Sequence, residues 1–126
     1  MTAMLCFHTA GSTYCMPVKA TRAVRTTTGM RILPAARPDV AGIVPGDPPL
    51  TVISPLGGAG GQIIVVQTAD QTFGLLVDEV TGLRQIDAAD ICRAPAGQQH
   101  AMVSGTIDAD GELVLIADPV ALAARL

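Results

Sequence analysis

Two apolar runs near the middle of the chain constrain the fold more than any other part of the sequence. Ile63–Val66 is an unbroken β-branched run of strand length, and Thr72–Val77 is a second apolar run. Turn-forming residues, Thr68–Gln71, separate them, so this stretch predicts an antiparallel β-hairpin. A run without polar positions is typical of a strand covered on both faces. We therefore expect Val65 to be buried, so that Val65→Asp would unfold the domain.

A second hairpin is predicted near the N-terminus from Met4–Thr9 and Tyr14–Val18. Alternation along a strand places Leu5 and Phe7 on one face and Cys6 and His8 on the other. If the loop consists of Gly11 and Ser12, then His8 lies opposite Cys15.

A third hairpin and a helix are predicted at the C-terminal end. Met102–Ile107 and Glu112–Ala117 flank Asp110-Gly111, a dipeptide typical of tight hairpin turns. Asp118 is followed by proline and good helix formers, which predicts a short helix over Pro119–Arg125.

Proline and glycine divide the remaining stretches into short pieces. Ile43–Val44 and Leu50–Ile53 are predicted to be short edge strands, and Lys19–Ala23 to contain a short helical turn or enter a strand. Gly57–Gly61 is predicted to be a flexible connector, since it lacks the lysine and the following helix of a phosphate-binding loop. Ala96–His100 is predicted to be a polar loop.

Length and charge exclude several classes of protein. The chain has 126 residues, enough for one domain, and 49% of them are hydrophobic although only 2% are aromatic. Its net charge of -3 and its singly scattered lysines and arginines disfavour nucleic acid as a partner. No apolar run reaches the ~18 residues of a membrane span, and no signal peptide is evident. We expect a cytoplasmic protein without direct membrane insertion.

Chemistry-bearing residues are few and do not form a known catalytic pattern. Cys6, His8 and Cys15 raise a metal-site hypothesis, but no fourth ligand is apparent and the spacing fits no zinc motif, so packing is the favoured interpretation. The three cysteines are expected to be buried or half-buried thiols without a disulfide. The carboxylate pairs Asp78-Glu79 and Asp108/Asp110 favour turn and surface roles. We expect no enzyme activity, no cofactor and no metal.

Four segments, in order along nearly the whole chain, resemble the CheW-like family of scaffold domains. They are Tyr14–Val18; Ile63–Val66 with Phe73–Gly82; Asp90-Ile91 through Pro95; and Ser104-Gly105 with Asp110–Asp118 before the last helix. The run Gly-Leu-Leu-Val-Asp-Glu-Val at Gly74–Val80 is the most family-specific of these.

The resemblance implies a mainly β fold of nine or ten strands, arranged as two small five-stranded SH3-like β-barrels that share one core, with a short C-terminal helix. One such domain would span residues 1–126. It implies a non-catalytic adaptor that binds the regulatory domain of a CheA-type histidine kinase and, in the groove between the barrels, the cytoplasmic tip of a chemoreceptor. The family's interface positions map onto Thr21, Ala23, Gly42, Ile43, Val44 and the Pro45–Asp47 turn.

The chain departs from the family in this segment. Ala23 stands where the family usually has Glu, and Asp47 stands where it has Arg. We therefore expect binding to a cognate partner suited to the rewritten turn and weak binding to a generic CheA regulatory domain. The alternative is a divergent module of the same fold that binds a small ligand, in a pocket between the barrels, or another protein partner.

Overall fold

The computed structural model describes residues 1–33, 38–93 and 102–126, and these contain eleven β-strands and one α-helix. The strands are β1 Thr2–Thr9, β2 Ser12–Pro17, β3 Thr21–Thr26, β4 Val40–Val44, β5 Leu50–Ile53, β6 Gln62–Gln67, β7 Thr72–Val77, β8 Glu79–Ile86, β9 Cys92–Arg93, β10 Val103–Ala109 and β11 Glu112–Ala117. The helix is α1 Pro119–Ala123 and two 3₁₀ turns cover Val18–Ala20 and Ala88–Asp90. The predicted polar loop Ala96–His100 lies outside the described residues.

The strands form two mixed sheets. The first sheet has the order β8-β1-β2-β11-β10-β9, and the second has the order β3-β6-β7-β5-β4. Most neighbours are antiparallel, but β2 pairs with β11 and β5 with β7 in parallel, which links segments far apart in the sequence. The predicted mainly β class is confirmed. The first sheet has six strands rather than five, and eleven strands replace the expected nine or ten.

All three predicted hairpins are present, but the first has a different register. Its loop is Ala10-Gly11, with φ of 51° and 79°, so Cys6 lies opposite Cys15 and His8 opposite Thr13. A two-residue hairpin loop of this kind needs positive φ at both positions, which matches the twist of the strands. The predicted pairing of His8 with Cys15 was wrong. Because the pairing moved by an even number of residues, the faces stayed as predicted.

The main core lies between the two sheets. It contains Leu5, Phe7, Tyr14 and Met16 from the first hairpin, Ile53, Ile64, Val66, Phe73, Leu75 and Val77 from the second sheet, and Val103, Ala117, Leu122 and Ala123 from the C-terminal segment. The rings of Phe7 and Tyr14 stack with their centroids 5.5 Å apart. Helix α1 covers one end of this core with Leu122.

The central strand β6 is buried at Ile63, Ile64 and Val66, but Val65 is only half-buried. The prediction that Val65 lies in the core was wrong. Its cross-strand neighbours are Ala23 and Gly74, whose small side chains cover little of it. An unbroken apolar run therefore does not ensure that every position is covered.

Three smaller predictions are corrected or refined by the structure. β4 is an edge strand, but β5 lies between β7 and β4 and is interior. The helical turn near Lys19 is a single 3₁₀ turn, and the chain enters β3 at Thr21. Helix α1 has the predicted Asp118 cap, which accepts hydrogen bonds from the backbone N–H groups of Val120 and Ala121, but ends at Ala123. Among the described residues, no helix has the length and apolar character needed to cross a membrane.

Candidate partner-binding surface

Five of the six predicted interface residues lie on the two edges of the second sheet. Thr21 and Ala23 belong to β3 at one edge, whereas Gly42, Ile43 and Val44 belong to β4 at the other, with three strands between them. Asp47 is exposed in the turn after β4.

The chain that leaves β3 reaches the outer edge of β4 after a short connection. The N–H of Arg31 donates to the carbonyl of Ile43 at 2.8 Å, and the N–H of Ile43 donates back to the carbonyl of Arg31 at 2.8 Å. The five residue-to-residue steps from Thr26 to Arg31 span at most about 17 Å. The second sheet is therefore curled, which brings its two edges towards one another.

On the β4 edge, two of the predicted residues are structural. Val44 is 5% exposed and packs with Val52 and Ile63 in a small core beneath the sheet. Gly42 is buried, and a Cβ there would collide with the carbonyl oxygen of Arg31. Of this group only Ile43 is half-exposed, and its backbone is already bonded to Arg31.

On the β3 edge, the strand is open. Every residue from Arg22 to Thr26 is exposed, and β6 is the only described strand that pairs with β3. Thr21 is half-buried, and its hydroxyl donates to the carbonyl of Val18 at 2.8 Å. A β-bulge between Thr21 and Ala23 leaves Arg22 unpaired in the ladder, and its Nε donates to Oε1 of Gln67. Ala23 thus lies on an accessible strand whose outer backbone groups face solvent.

The sequence analysis missed the concentration of positive charge in the first part of the chain, which contains β3. Lys19, Arg22, Arg25 and Arg31 all precede Asp39, the first acidic residue of the chain. Within the described ranges, the only ion pair joins Arg125 to Asp39, at 3.4 Å. Counting charges by segment rather than over the whole chain would have revealed this asymmetry.

An apolar groove opens between the sheets beside the start of β3. It has a volume of about 390 Å³ and lies where β2, β6 and α1 meet. Its lining is Pro17, Lys19, Ala20, Gln67, Thr68, Ala69, Pro119 and Val120. Val120 is 70% exposed at the rim. The groove is accessible and presents mainly aliphatic surface.

At the opposite end of the strands, the carboxylate of Asp78 ties the two sheets together. It accepts hydrogen bonds from the N–H of Gly60 at 2.7 Å and of Ala10, in the first hairpin, at 3.1 Å. The hydrogen bond from the backbone N–H of Gly60 is the main cause of the lowered pKa of Asp78. Desolvation of the carboxylate raises this pKa, but the backbone N–H groups of Ala10 and Ala59 lower it further.

The glycine run beside Asp78 is held in place. The hydroxyl of Thr9 donates to the carbonyl of Gly57 at 2.7 Å, and a Cβ on Gly58 would lie 2.5 Å from that hydroxyl and 2.6 Å from a carboxylate oxygen of Asp78. The prediction of a flexible connector was wrong, because glycine is needed here for the close approach of backbone to Asp78.

The cysteines are free thiols in two different environments. Cys6 and Cys15 are buried opposite each other, and burial raises the pKa of Cys6 and raises that of Cys15 to about 11. Cys92 is exposed, which corrects the expectation that it would be at least half-buried. In the part of the chain that the structure describes, no three His, Cys, Asp or Glu side chains are placed to hold a metal ion.

Comparison with known proteins identifies the family. The family model of the CheW-like domain matches residues 49–126, which is more than half of the chain. The fold is similar to that of the scaffolding protein TtCheW from Thermoanaerobacter tengcongensis, with a TM-score of 0.82, 22% sequence identity, and coverage of 93% of this chain and 88% of that one. A search of curated proteins found no match. The chain belongs to the CheW-like domain family.

Proposed function

We propose that residues 1–126 form one CheW-like domain that acts as a non-catalytic adaptor between a chemoreceptor and a CheA-type histidine kinase. The parallel pairing of β2 with β11 supports a single domain, because a sheet that joins the two ends of the chain is difficult to divide. The similarity to TtCheW, which extends over 93% of the chain, also supports it. The receptor tip and the kinase place this function in the cytoplasm.

The observation that carries this proposal is the presence of two distinct docking features on neighbouring elements. The apolar groove lies between the sheets, and the open edge of β3 begins beside it. An adaptor has to hold two partners at once, and these two features suit different kinds of partner: an amphipathic helix fits an apolar groove, whereas an extended strand adds to an open sheet edge.

The kinase's regulatory domain is assigned to the edges of the second sheet. Thr21, Ala23, Ile43 and Asp47 are at least partly exposed and are the proposed contact residues. Gly42 and Val44 support this surface from within. The resemblance to the family implies a regulatory domain that is itself CheW-like, and such a domain offers strands of the same type for pairing.

The receptor's helical tip is assigned to the groove. Prolines at positions 17 and 119 and alanines at positions 20 and 69 form a smooth aliphatic floor, and Val120 forms the rim. Burial of such surface contributes about 25 cal/mol per Å² of apolar area, before the cost of association. The charged end of Lys19 lies on the same side, where it is placed to contact the polar face of a helix.

Two titrations test the proposal. The regulatory domain of the CheA-type kinase and a receptor-tip helical hairpin from the same organism are titrated against the protein by calorimetry. Val120→Glu is expected to weaken receptor binding and leave kinase binding unchanged. The matched control is Leu113→Glu on β11, because Leu113 is 61% exposed but lies away from the groove lining.

Absence of binding to both partners would reject the adaptor function and favour the alternative of a module for another ligand. Equal effects of Val120→Glu and Leu113→Glu on receptor binding would reject the groove as the receptor site. Circular dichroism and a urea unfolding curve for each variant establish that both remain folded.

A further inference from the structure

We propose that the open edge of β3 binds an acidic extended strand of its protein partner, and that Arg22 and Arg25 select that strand by charge. This inference rests on the proposed function, since it specifies the chemistry of the partner that binds the second sheet.

The first step is the geometry of the edge. β3 pairs with β6 on one side only, and its residues from Arg22 to Thr26 are exposed on both faces. The regular part of the ladder runs from Ala23 to Thr26, opposite Val65, Ile64, Ile63 and Gln62. A strand that presents unpaired backbone groups in this way is a template for another strand. Ala23 adds little bulk at the centre of this edge.

The second step is that, among the residues that the structure describes, Arg22 and Arg25 have no acidic partner. Arg22 bonds to the neutral amide of Gln67, and no described carboxylate lies within ion-pair distance of either arginine. Protein edges are often protected by charged residues against unwanted pairing. Two arginines repel a basic strand and are costly to desolvate against an apolar one, but they attract an acidic strand. The same charges that protect the edge therefore also confer selectivity.

The third step is the uneven distribution of charge. Residues 1–38 contain five of the eight lysines and arginines and none of the eleven acidic residues. Residues 39–126 therefore contain three cations and eleven acids, so the chain is basic at its beginning and acidic over the rest. Fields of this kind act over a Debye length of about 8 Å at physiological ionic strength, and they steer a partner of opposite charge into register.

The fourth step is that the surface suits a protein strand better than a nucleic acid. Val24, 42% exposed, lies between the two arginines in sequence and offers an apolar contact that a phosphate backbone cannot use. No aromatic side chain lies on β3 to stack against a base. An edge that presents Arg22 and Arg25 with Ala23 and Val24 between them fits a strand that carries both acidic and aliphatic residues.

The test compares charge reversal on β3 with the same change elsewhere. The variant is Arg22→Glu with Arg25→Glu, and single Arg25→Glu is compared with Arg93→Glu, an exposed arginine on β9 of the first sheet. The probes are the regulatory domain of the CheA-type kinase, a peptide as long as β3 in which glutamate alternates with valine, its lysine-valine counterpart, and duplex DNA.

We expect the wild-type protein and Arg93→Glu to bind the kinase domain and the acidic peptide alike, with affinity that falls as salt rises. The double variant is expected to lose affinity for both by about tenfold or more, because like charges then face each other. The lysine-valine peptide is expected to bind the double variant better than it binds the wild type.

Kinase binding that is unchanged in the double variant would overturn this inference and leave the proposed function intact. If the wild type binds the acidic peptide but not the kinase domain, the proposed function fails and the acidic-strand preference stands. The inference would be overturned if the wild type bound neither the kinase domain nor the acidic peptide. It would also be overturned if the wild type bound DNA but not the acidic peptide, and the double variant lost the DNA binding.

Discussion

Ile64 and Val65 are adjacent on the central strand, yet truncation of one is expected to cost far more than truncation of the other. Ile64 is 0% exposed and belongs to the main core, whereas Val65 is half-buried beside Ala23 and Gly74. Ile64→Ala removes the equivalent of about three methylenes, or about 2.4 kcal/mol at about 0.8 kcal/mol each. The cavity between the sheets raises the loss in unfolding free energy to about 3.5 kcal/mol.

Val65→Ala removes less carbon from a partly hydrated site and leaves no closed cavity, so its expected cost is about 1 kcal/mol. Urea unfolding monitored by circular dichroism measures both values. With a slope of about 1.5 kcal/mol per M, the midpoint falls by about 2.3 M for Ile64→Ala and about 0.7 M for Val65→Ala. For the same reason, Val65→Asp is expected to leave the protein folded, whereas Ile64→Asp should unfold it.

Equal shifts for the two alanine variants, or a larger shift for Val65→Ala, would refute this account of the core. The measured slope is the internal control. A changed slope would mean that a variant alters the compactness of the unfolded or native state, and the midpoints would then no longer compare the same transition.

Three other predictions follow from the carboxylate, the thiols and the rewritten interface. The folded-state pKa of Asp78 lies below the ordinary 3.8, so its carboxylate stabilises the fold at neutral pH, and this stability is lost as the pH falls through the folded-state pKa. Asp78→Asn should therefore lower the urea midpoint at neutral pH and hardly change it in strong acid. Iodoacetamide at mildly alkaline pH should alkylate the exposed Cys92 in the folded protein and spare Cys15, because burial raises the pKa of Cys15 to about 11. Mass spectrometry before and after denaturation measures which cysteine is labelled. Labelling of Cys15 in the folded protein would contradict this prediction. The double variant Ala23→Glu, Asp47→Arg restores the family's charges at two exposed positions. It should raise the affinity for a generic CheA regulatory domain, measured by calorimetry, by about tenfold. Unchanged affinity would show that neither position makes a contact.

Local chemistry was sufficient to predict the hairpins and the terminal helix. Asp110-Gly111 forms the predicted turn with φ of 52° and 82°, and Asp118 caps α1 through its side chain. Each of these signals involves only residues close in sequence, so it acts whatever the rest of the chain does. The first hairpin shows the limit: Ala10 adopts a positive φ that is unfavourable for alanine, and so the sequence pointed to Gly11-Ser12 as the loop.

The candidate surface was predicted in outline by the resemblance but not in its detail. The sequence marked the β3 and β4 segments, yet it did not distinguish the exposed Ala23 from the buried Val44. That difference depends on Val52 and Ile63, which pack against Val44, and on the absence of any described strand outside β3. Neither relationship has a signal within the segments themselves.

The sequence alone thus determined the strands of the three hairpins, the Asp110-Gly111 turn, the cap of the terminal helix and which face of the first hairpin is apolar. The tertiary structure decided the parallel pairing of β2 with β11, the hydrogen bond from the N–H of Gly60 to the carboxylate of Asp78, and the half-exposure of Val65. Turn and strand preferences are set by sterics within a few residues. Burial and edge exposure are set by whichever distant segment packs alongside, and that is fixed only when the whole chain has folded.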